Sequence, residues 1–169
     1  NNVPEPDIFT EFGTFTVGES GAILYSIVNQ KQQNDRESWN MIDSSFITTL
    51  PDTWAISQRY ILLAINNWDK EYQRVHLGGL TCDSEDFYSA GHSNAIFLPK
   101  VDPTKGEQYI GLFHTGAYQE SLAGFGGIQH CLIPAPKHVV IDLDENGEYY
   151  TKLFAKEQSY KSMLKILGY

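Results

Sequence analysis

With 169 residues, 41% hydrophobic and 13% aromatic, the chain has enough apolar side chains for one sizeable core and reads as a single domain. A net charge of -9, from 21 acidic and 12 basic residues, excludes a nucleic-acid backbone partner, which draws on clustered Lys and Arg; it suits a cationic small substrate or simple solubility. Two cysteines, Cys82 and Cys131, exclude a disulfide framework and favour a cytoplasmic home, and no run approaches the roughly 18 apolar residues of a membrane span, nor does a leader pattern open at Asn1.

In chain order, Asp7–Val17 sets Ile8, Phe9, Phe12, Phe15 and Val17 among threonines, a composition that predicts a strand up to Gly18 and Gly21. Ala22–Val28 predicts a second strand, polar Asn29–Ser38 a loop, and Trp39–Asp43 a third strand. Further extended stretches are predicted over Thr53–Ser57, Arg59–Ile65, Arg74–Cys82, Ala95–Leu98, Tyr109–His114, Gln129–Ile133 and His138–Leu143. Asn146-Gly147, between Val139–Leu143 and Tyr149–Phe154, predicts a hairpin whose tight turn uses positive φ at both residues. Tyr160, Met163, Leu164 and Leu167 recur at helical spacing before Gly168, so a short terminal helix with one buried face follows. Many short strands with few helices make the fold mainly β, a barrel or sandwich.

Four segments carry candidate chemistry. Leu80-Thr81-Cys82-Asp83-Ser84-Glu85-Asp86 places a thiol beside three carboxylates after a predicted strand. It reads either as a buried cysteine by a solvated acidic turn, or as a proton donor, Cys82, beside an anchor for a cation, Asp83. In His114-Thr115-Gly116-Ala117-Tyr118 a strand runs into small residues that let backbone approach a ligand, with a helical turn expected through Leu122; the plain alternative is a core tyrosine. Glu11-Phe12-Gly13-Thr14 read alone is one acidic residue in a strand. His130 and Cys131, adjacent on a predicted strand, face opposite sides and cannot share a metal. Gly18-Glu19-Ser20-Gly21 lacks the spacing of a nucleophile elbow, and the glycines around Phe125 lack a phosphate-loop order.

Taken together, these segments resemble the carboxy-terminal half of the fold-type III pyridoxal-phosphate-dependent decarboxylases, which act on arginine, ornithine, lysine or diaminopimelate. Thr81-Cys82-Asp83-Ser84 is similar to the family's cysteine motif and Gly116-Ala117-Tyr118 to its tyrosine motif. Gly116-Ala117-Tyr118-Gln119-Glu120 and Leu50-Pro51-Asp52-Thr53-Trp54-Ala55-Ile56 resemble the biosynthetic arginine decarboxylases most. Glu11-Phe12-Gly13-Thr14 resembles the segment that meets the cofactor, with Thr14 in place of the usual arginine. Asp43 is a looser match to a substrate aspartate, and Phe125 to a residue set against the cofactor.

The resemblance implies a β-domain of the alanine racemase-like type spanning residues 1–169. It implies Glu11, Gly13 and Tyr118 as cofactor-binding residues, Cys82 as catalytic, Asp83 and Asp43 as substrate-binding, and no metal. The cofactor's imine lysine is expected in an amino-terminal (β/α)8 barrel outside this chain, since such a barrel needs roughly 250 residues. The implied activity is decarboxylation of a basic amino acid, arginine to agmatine in polyamine biosynthesis, at an active site shared across a homodimer or higher oligomer, with the fragment alone inactive. Other readings are an ornithine, lysine or diaminopimelate enzyme, a noncatalytic β-barrel binding module, or a small enzyme with Cys82 as nucleophile and a His partner.

Overall fold

The computed structural model describes residues 3–88, 96–102, 104–124 and 126–169. Strands β1 (Ala22–Asn34), β2 (Glu37–Ile42), β3 (Ile61–Ala64), β4 (Tyr72–Gly78), β5 (Phe87–Tyr88), β6 (Ile96–Pro99) and β7 (Tyr109–Phe113) form one sheet in the order β3-β7-β1-β2-β4-β5, with β6 also on β4. Pairing is antiparallel except between β2 and β4. Along β1 the two-residue period sends Tyr25 and Ile27 inward and leaves Leu24 and Val28 outside.

Strands β3 and β5, the two ends of that order, come back together through one side chain. The Tyr60 N–H, one residue before β3, donates to the Tyr88 hydroxyl at 3.0 Å, and that hydroxyl donates to the Tyr60 carbonyl at 2.8 Å. The sheet is therefore curled, and its concave face holds the core: Ile42, Phe46, Leu50, Val75, Leu77, Ile110 and Leu112 are fully buried. Phe46 fills the centre, edge-on to Tyr25 at 5.6 Å and 5.7 Å from Tyr88. The expectation of a mainly β, barrel-type domain holds.

Short helices surround this sheet: α1 (Gly13–Val17), α2 (Phe46–Thr49), α3 (Pro51–Ala55) and α4 (Gln119–Ala123). Ser45 caps α2 by accepting from Thr48 N–H at 3.1 Å. Several predicted strands need correction. Residues 7–12 are coil and 13–17 helix, where the Thr16 hydroxyl and N–H both close on the Phe12 carbonyl at 2.9 Å, and among the described residues no strand pairs with this segment. Thr53–Ser57 falls in α3 and a bend, since Pro51 opens a helical turn at its first position. Gln129–Ile133 contains a 3₁₀ turn, His130–Leu132. Asn29–Ser38 is mostly strand: Gln30–Asn34 continues β1 and pairs with Asn40–Glu37, because polar side chains suit an exposed ladder end.

Strands β8 (His138–Leu143) and β9 (Tyr149–Ala155) form a separate hairpin, followed by α5 (Tyr160–Ile166). Its turn has positive φ at Gly147, 81°, and not at Asn146. The Asp144 carbonyl accepts from Gly147 N–H at 3.0 Å, while its carboxylate accepts from Asn146 N–H at 2.8 Å and Glu148 N–H at 2.9 Å. Those amides, Glu148 first, hold the Asp144 carboxyl below the usual range. Helix α5 carries the expected spacing, a Ser159 cap and Gly168 at φ 89°, but the face expected to be buried is open, with Leu164 and Leu167 exposed. Among the described residues no helix is long and apolar enough to cross a membrane.

Candidate functional site

Strand β7 delivers the tyrosine motif to one end of the sheet. Past its end the backbone turns left-handed at His114, φ 70°, and Thr115 and Gly116 dock on the 18–21 turn. Thr115 N–H donates to Gly21 O at 3.0 Å and Gly116 N–H to Gly18 O at 2.9 Å. A Cβ on Gly116 would lie 2.2 Å from the Val17 carbonyl, so only glycine allows this approach. Tyr118 then takes φ 66°, costly for a residue with a side chain, and its ring stands 59% exposed, which removes the core-tyrosine alternative. Its carbonyl starts the predicted helical turn by accepting from Leu122 N–H and the Ser121 hydroxyl, both at 2.9 Å.

This geometry sets the Tyr118 hydroxyl over Gly13, 3.9 Å from where a Cβ on that glycine would stand. Between them opens a cleft of about 430 Å³ lined by Gly13, Thr16, Val17, Gly116, Ala117 and Tyr118. Glu11 lies in exposed coil just before Gly13. Thus Gly13 and the Gly116–Tyr118 motif, far apart in sequence, line one cleft, and Glu11 does not line it. Phe125 lies outside the described residues.

The acidic loop is built on Asp86, not on the residues singled out from sequence. Asp86 is 6% exposed and accepts from Phe46 N–H at 2.8 Å through one oxygen, and from Thr81 N–H at 3.0 Å and the Thr81 hydroxyl at 2.7 Å through the other. A Cβ on Gly79 would fall 2.3 Å from this carboxylate. Pinned this way, the loop holds Cys82 and Asp83 exposed at its tip, with Asp83 Oδ1 accepting from Glu85 N–H at 2.9 Å. Cys82 is not the buried hydrophobe of the plain reading.

Asp43 sits just past β2, where it accepts from Ser26 N–H at 3.1 Å and donates its own N–H to Ser26 O at 3.0 Å. Neither Asp43, Cys82 nor Asp83 lines the Tyr118 cleft. The 3₁₀ turn brings the His130 and Cys131 side chains to one side, Nε2 to Sγ 3.8 Å, contrary to the strand argument. Among the described residues no group of three or more potential ligands could hold a metal ion.

Two residues missed by sequence reasoning join motifs. Buried Gln119 donates to Asp52 Oδ2 at 2.8 Å and accepts from Asp52 N–H at 3.3 Å. The Pro51–Trp54 segment and the Gly116–Glu120 segment, both singled out for their resemblance, are therefore in contact. That shared resemblance was the available signal.

No protein-family model matches the chain. The biosynthetic arginine decarboxylase of Prochlorococcus marinus subsp. pastoris is 34% identical over 131 residues, covering 74% of this chain and 19% of that protein. That of Marinobacter nauticus is 33% identical over 114 residues, covering 64% of this chain and 17% of that protein. Among solved structures, the biosynthetic arginine decarboxylase SpeA from Campylobacter jejuni is 27% identical with a TM-score of 0.64, over 79% of this chain and 22% of that one. A diaminopimelate decarboxylase gives a TM-score of 0.71 over 92% of this chain and 35% of that one, at 20% identity, a likeness of fold alone.

The curled sheet has the fold of the decarboxylase β-domains, and the chain is similar in sequence to proteins of the fold-type III decarboxylases. The relatives that carry the sequence likeness are named biosynthetic arginine decarboxylases. The chain spans about a fifth of the length of the curated relatives it matches.

Proposed function

We propose that residues 1–169 form the carboxy-terminal β-domain of a cytoplasmic arginine decarboxylase that converts arginine to agmatine at an active site shared between subunits. The observation that carries this reading is the Tyr118 hydroxyl facing Gly13 across an open cleft. That hydroxyl has no partner among the described residues and the glycine leaves room for close approach, which fits a phosphate group of pyridoxal phosphate. When bound, that cofactor supplies the sink for the electron pair released as carbon dioxide leaves.

In this reading Tyr118 donates to a phosphate oxygen, Gly13 lets the phosphate come close, and Glu11 keeps the ring nitrogen protonated. Cys82, on an exposed tip held by Asp86, returns a proton to the α-carbon, a role that needs placement first and a matched pKa second. Asp83 has a carboxylate oxygen free to accept from a guanidinium, whose planar fork suits a carboxylate. Asp43, already engaged with Ser26, offers its second oxygen to the same cation. The loop reaches the substrate of the neighbouring subunit, and the cofactor lysine comes from a (β/α)8 barrel that these residues do not contain. Alone, the domain is inactive.

Arginine is favoured over diaminopimelate because the curated relatives named for arginine carry the sequence likeness, whereas the diaminopimelate enzyme shares the fold only. The test is carbon dioxide release by the product of the whole gene, supplied with pyridoxal phosphate, from arginine, ornithine, lysine and diaminopimelate. Arginine should have the highest kcat/KM. Preference for diaminopimelate, or no release from any of the four, would overturn the reading.

A further inference from the structure

Tyr118 hangs between two fixed points. The first is Gly116, docked on the 18–21 turn through its own backbone. Beyond it, Ala117, Tyr118 and Gln119 close a three-residue turn: the Gln119 N–H donates to the Ala117 carbonyl at 2.8 Å across a Tyr118 at φ 66°, ψ -34°. Positive φ with negative ψ is the sense of the rare, strained form of the γ-turn, which a residue with a side chain holds only where its surroundings impose it. The second fixed point supplies that constraint. It is the side chain of Gln119, 2% exposed, whose Nε2 donates to the same Ala117 carbonyl at 2.9 Å and to Asp52 Oδ2 at 2.8 Å while its Oε1 accepts from Asp52 N–H at 3.3 Å. Both amide hydrogens and the amide oxygen are thus used in one clamp, a set of bonds that a carboxylate of the same shape, being an acceptor only, cannot make. Asp52 is itself fixed in α3, its carbonyl accepting from Ile56 N–H at 3.2 Å and Gln58 N–H at 2.9 Å. Neither Gln119 nor Asp52 lines the Tyr118 cleft.

We propose that Gln119 and Asp52 are positioning residues for the cleft: they hold the strained turn that keeps the Tyr118 hydroxyl over Gly13, and through it they set the affinity for the phosphate group of the cofactor. The inference rests on the function proposed above and adds to it two residues that touch neither cofactor nor substrate. Released from the clamp, Tyr118 relaxes toward negative φ, the ordinary range for a residue with a side chain. Since φ is rotation about the N–Cα bond of Tyr118 and Gly116 stays docked, that relaxation swings the ring away from Gly13. The cost falls on the phosphate alone, because pyridoxal, which has none, has no bond to Tyr118 to lose. The two clamp residues differ in what a conservative change does to them. Asp52→Asn keeps a side-chain oxygen that accepts from Gln119 Nε2, whereas Gln119→Glu removes both donors and sets a second carboxylate beside Asp52.

The apoenzyme from the whole gene tests this by equilibrium titration with pyridoxal phosphate and, separately, with pyridoxal, urea midpoints being recorded so that only folded variants are compared. Tyr118→Phe should raise the Kd for pyridoxal phosphate about tenfold, the loss of one hydrogen bond to a charged group, and leave that for pyridoxal within about twofold. Gln119→Glu should raise the pyridoxal phosphate Kd about five- to tenfold and Asp52→Ala about threefold, with Asp52→Asn near the wild type and pyridoxal again little changed. Placed on Tyr118→Phe, Gln119→Glu should add less than about twofold, because the clamp acts through a hydroxyl that is no longer there. Where Gln119→Glu does not fold, Asp52→Ala, which leaves Gln119 its bond to Ala117, carries the same comparison. Equal losses for pyridoxal phosphate and pyridoxal, full additivity with Tyr118→Phe, or no loss in the clamp variants while Tyr118→Phe loses its tenfold, overturns the proposal and leaves the phosphate role of Tyr118 standing. A Tyr118→Phe enzyme that binds pyridoxal phosphate as the wild type does overturns both, so that one variant tells the two failures apart.

Discussion

The curled sheet and the β8–β9 hairpin draw on similar side chains and bury them differently. Within the curl of the sheet, Ile42 and Leu77 of its strands and Phe46 of α2 reach 0% exposure because the two ends return to each other through Tyr88 and Tyr60. In the hairpin, Ile141 stays 68% and Tyr149 80% exposed, and no residue of either strand is buried. A two-stranded ribbon has a ladder but no second layer, and is marginal alone. The apolar side chains of this hairpin therefore stay open to solvent, whereas those under the curled sheet do not.

The sharpest way to break this comparison is to truncate one large side chain in each region. Phe46→Ala should cost about 3–5 kcal/mol, while Ile141→Ala should change stability by under about 0.5 kcal/mol, both read from urea midpoints. Equal losses would mean that the hairpin belongs to the same cooperative core. Asp86→Ala comes next, at about 2–4 kcal/mol, because it strands the Phe46 and Thr81 amides that the carboxylate serves. Asp86→Asn should recover part of that, and a neutral result for Asp86→Ala would mean that the Cys82 loop is held by something other than this carboxylate.

Acid and alkali should separate the two regions by smaller amounts. Burial raises Tyr25, Tyr60 and Tyr88 in the sheet above the ordinary phenol value, which is about 10. Their folded pKa lies above the unfolded one, so their contribution is complete below about pH 10 and is lost as pH climbs through the raised values. Global stability should therefore fall on the alkaline side, with Tyr25→Phe flattening the slope. Asp144 in the hairpin turn is shifted the other way, so its contribution holds above the ordinary carboxylate range, about pH 4, and fades as pH drops below it. Amide exchange at Gly147 and Glu148 should speed up on acidification before the sheet responds. Faster exchange in the sheet first would contradict the assignment.

What the sequence made legible follows from what each residue shows locally. Ala22–Val28 and Tyr109–His114 were visible from their apolar, β-forming composition, and the hairpin from the Asn146-Gly147 dipeptide. Gln30–Asn34 carries no apolar alternation, so its strand character comes only from the ladder to Asn40–Glu37. Pro51 suits the first position of α3, whereas Thr53, Trp54 and Ile56 have the composition of a strand, so composition alone points the wrong way there. At the site, Gly13 and Tyr118 were each legible as motif residues, but their meeting depends on the register of β7 with β1 and the docking of Gly116 on the 18–21 turn. Asp86 could not be told from Asp83 and Glu85, since burial alone separates the structural carboxylate from the exposed ones.

The central claim is that Cys82 moves a proton and Asp83 holds the distal cation, and steady-state kinetics with product analysis on the whole enzyme tests it most directly. Cys82→Ala should lower kcat for arginine and release misprotonated by-product with KM nearly unchanged. Asp83→Ala should instead raise KM for arginine, a loss of about 2–5 kcal/mol once the neighbouring subunit encloses the charge pair, with Asp83→Glu recovering only part. Wild-type turnover and product purity in Cys82→Ala, or an unchanged KM for arginine, ornithine and lysine in Asp83→Ala, would contradict the account.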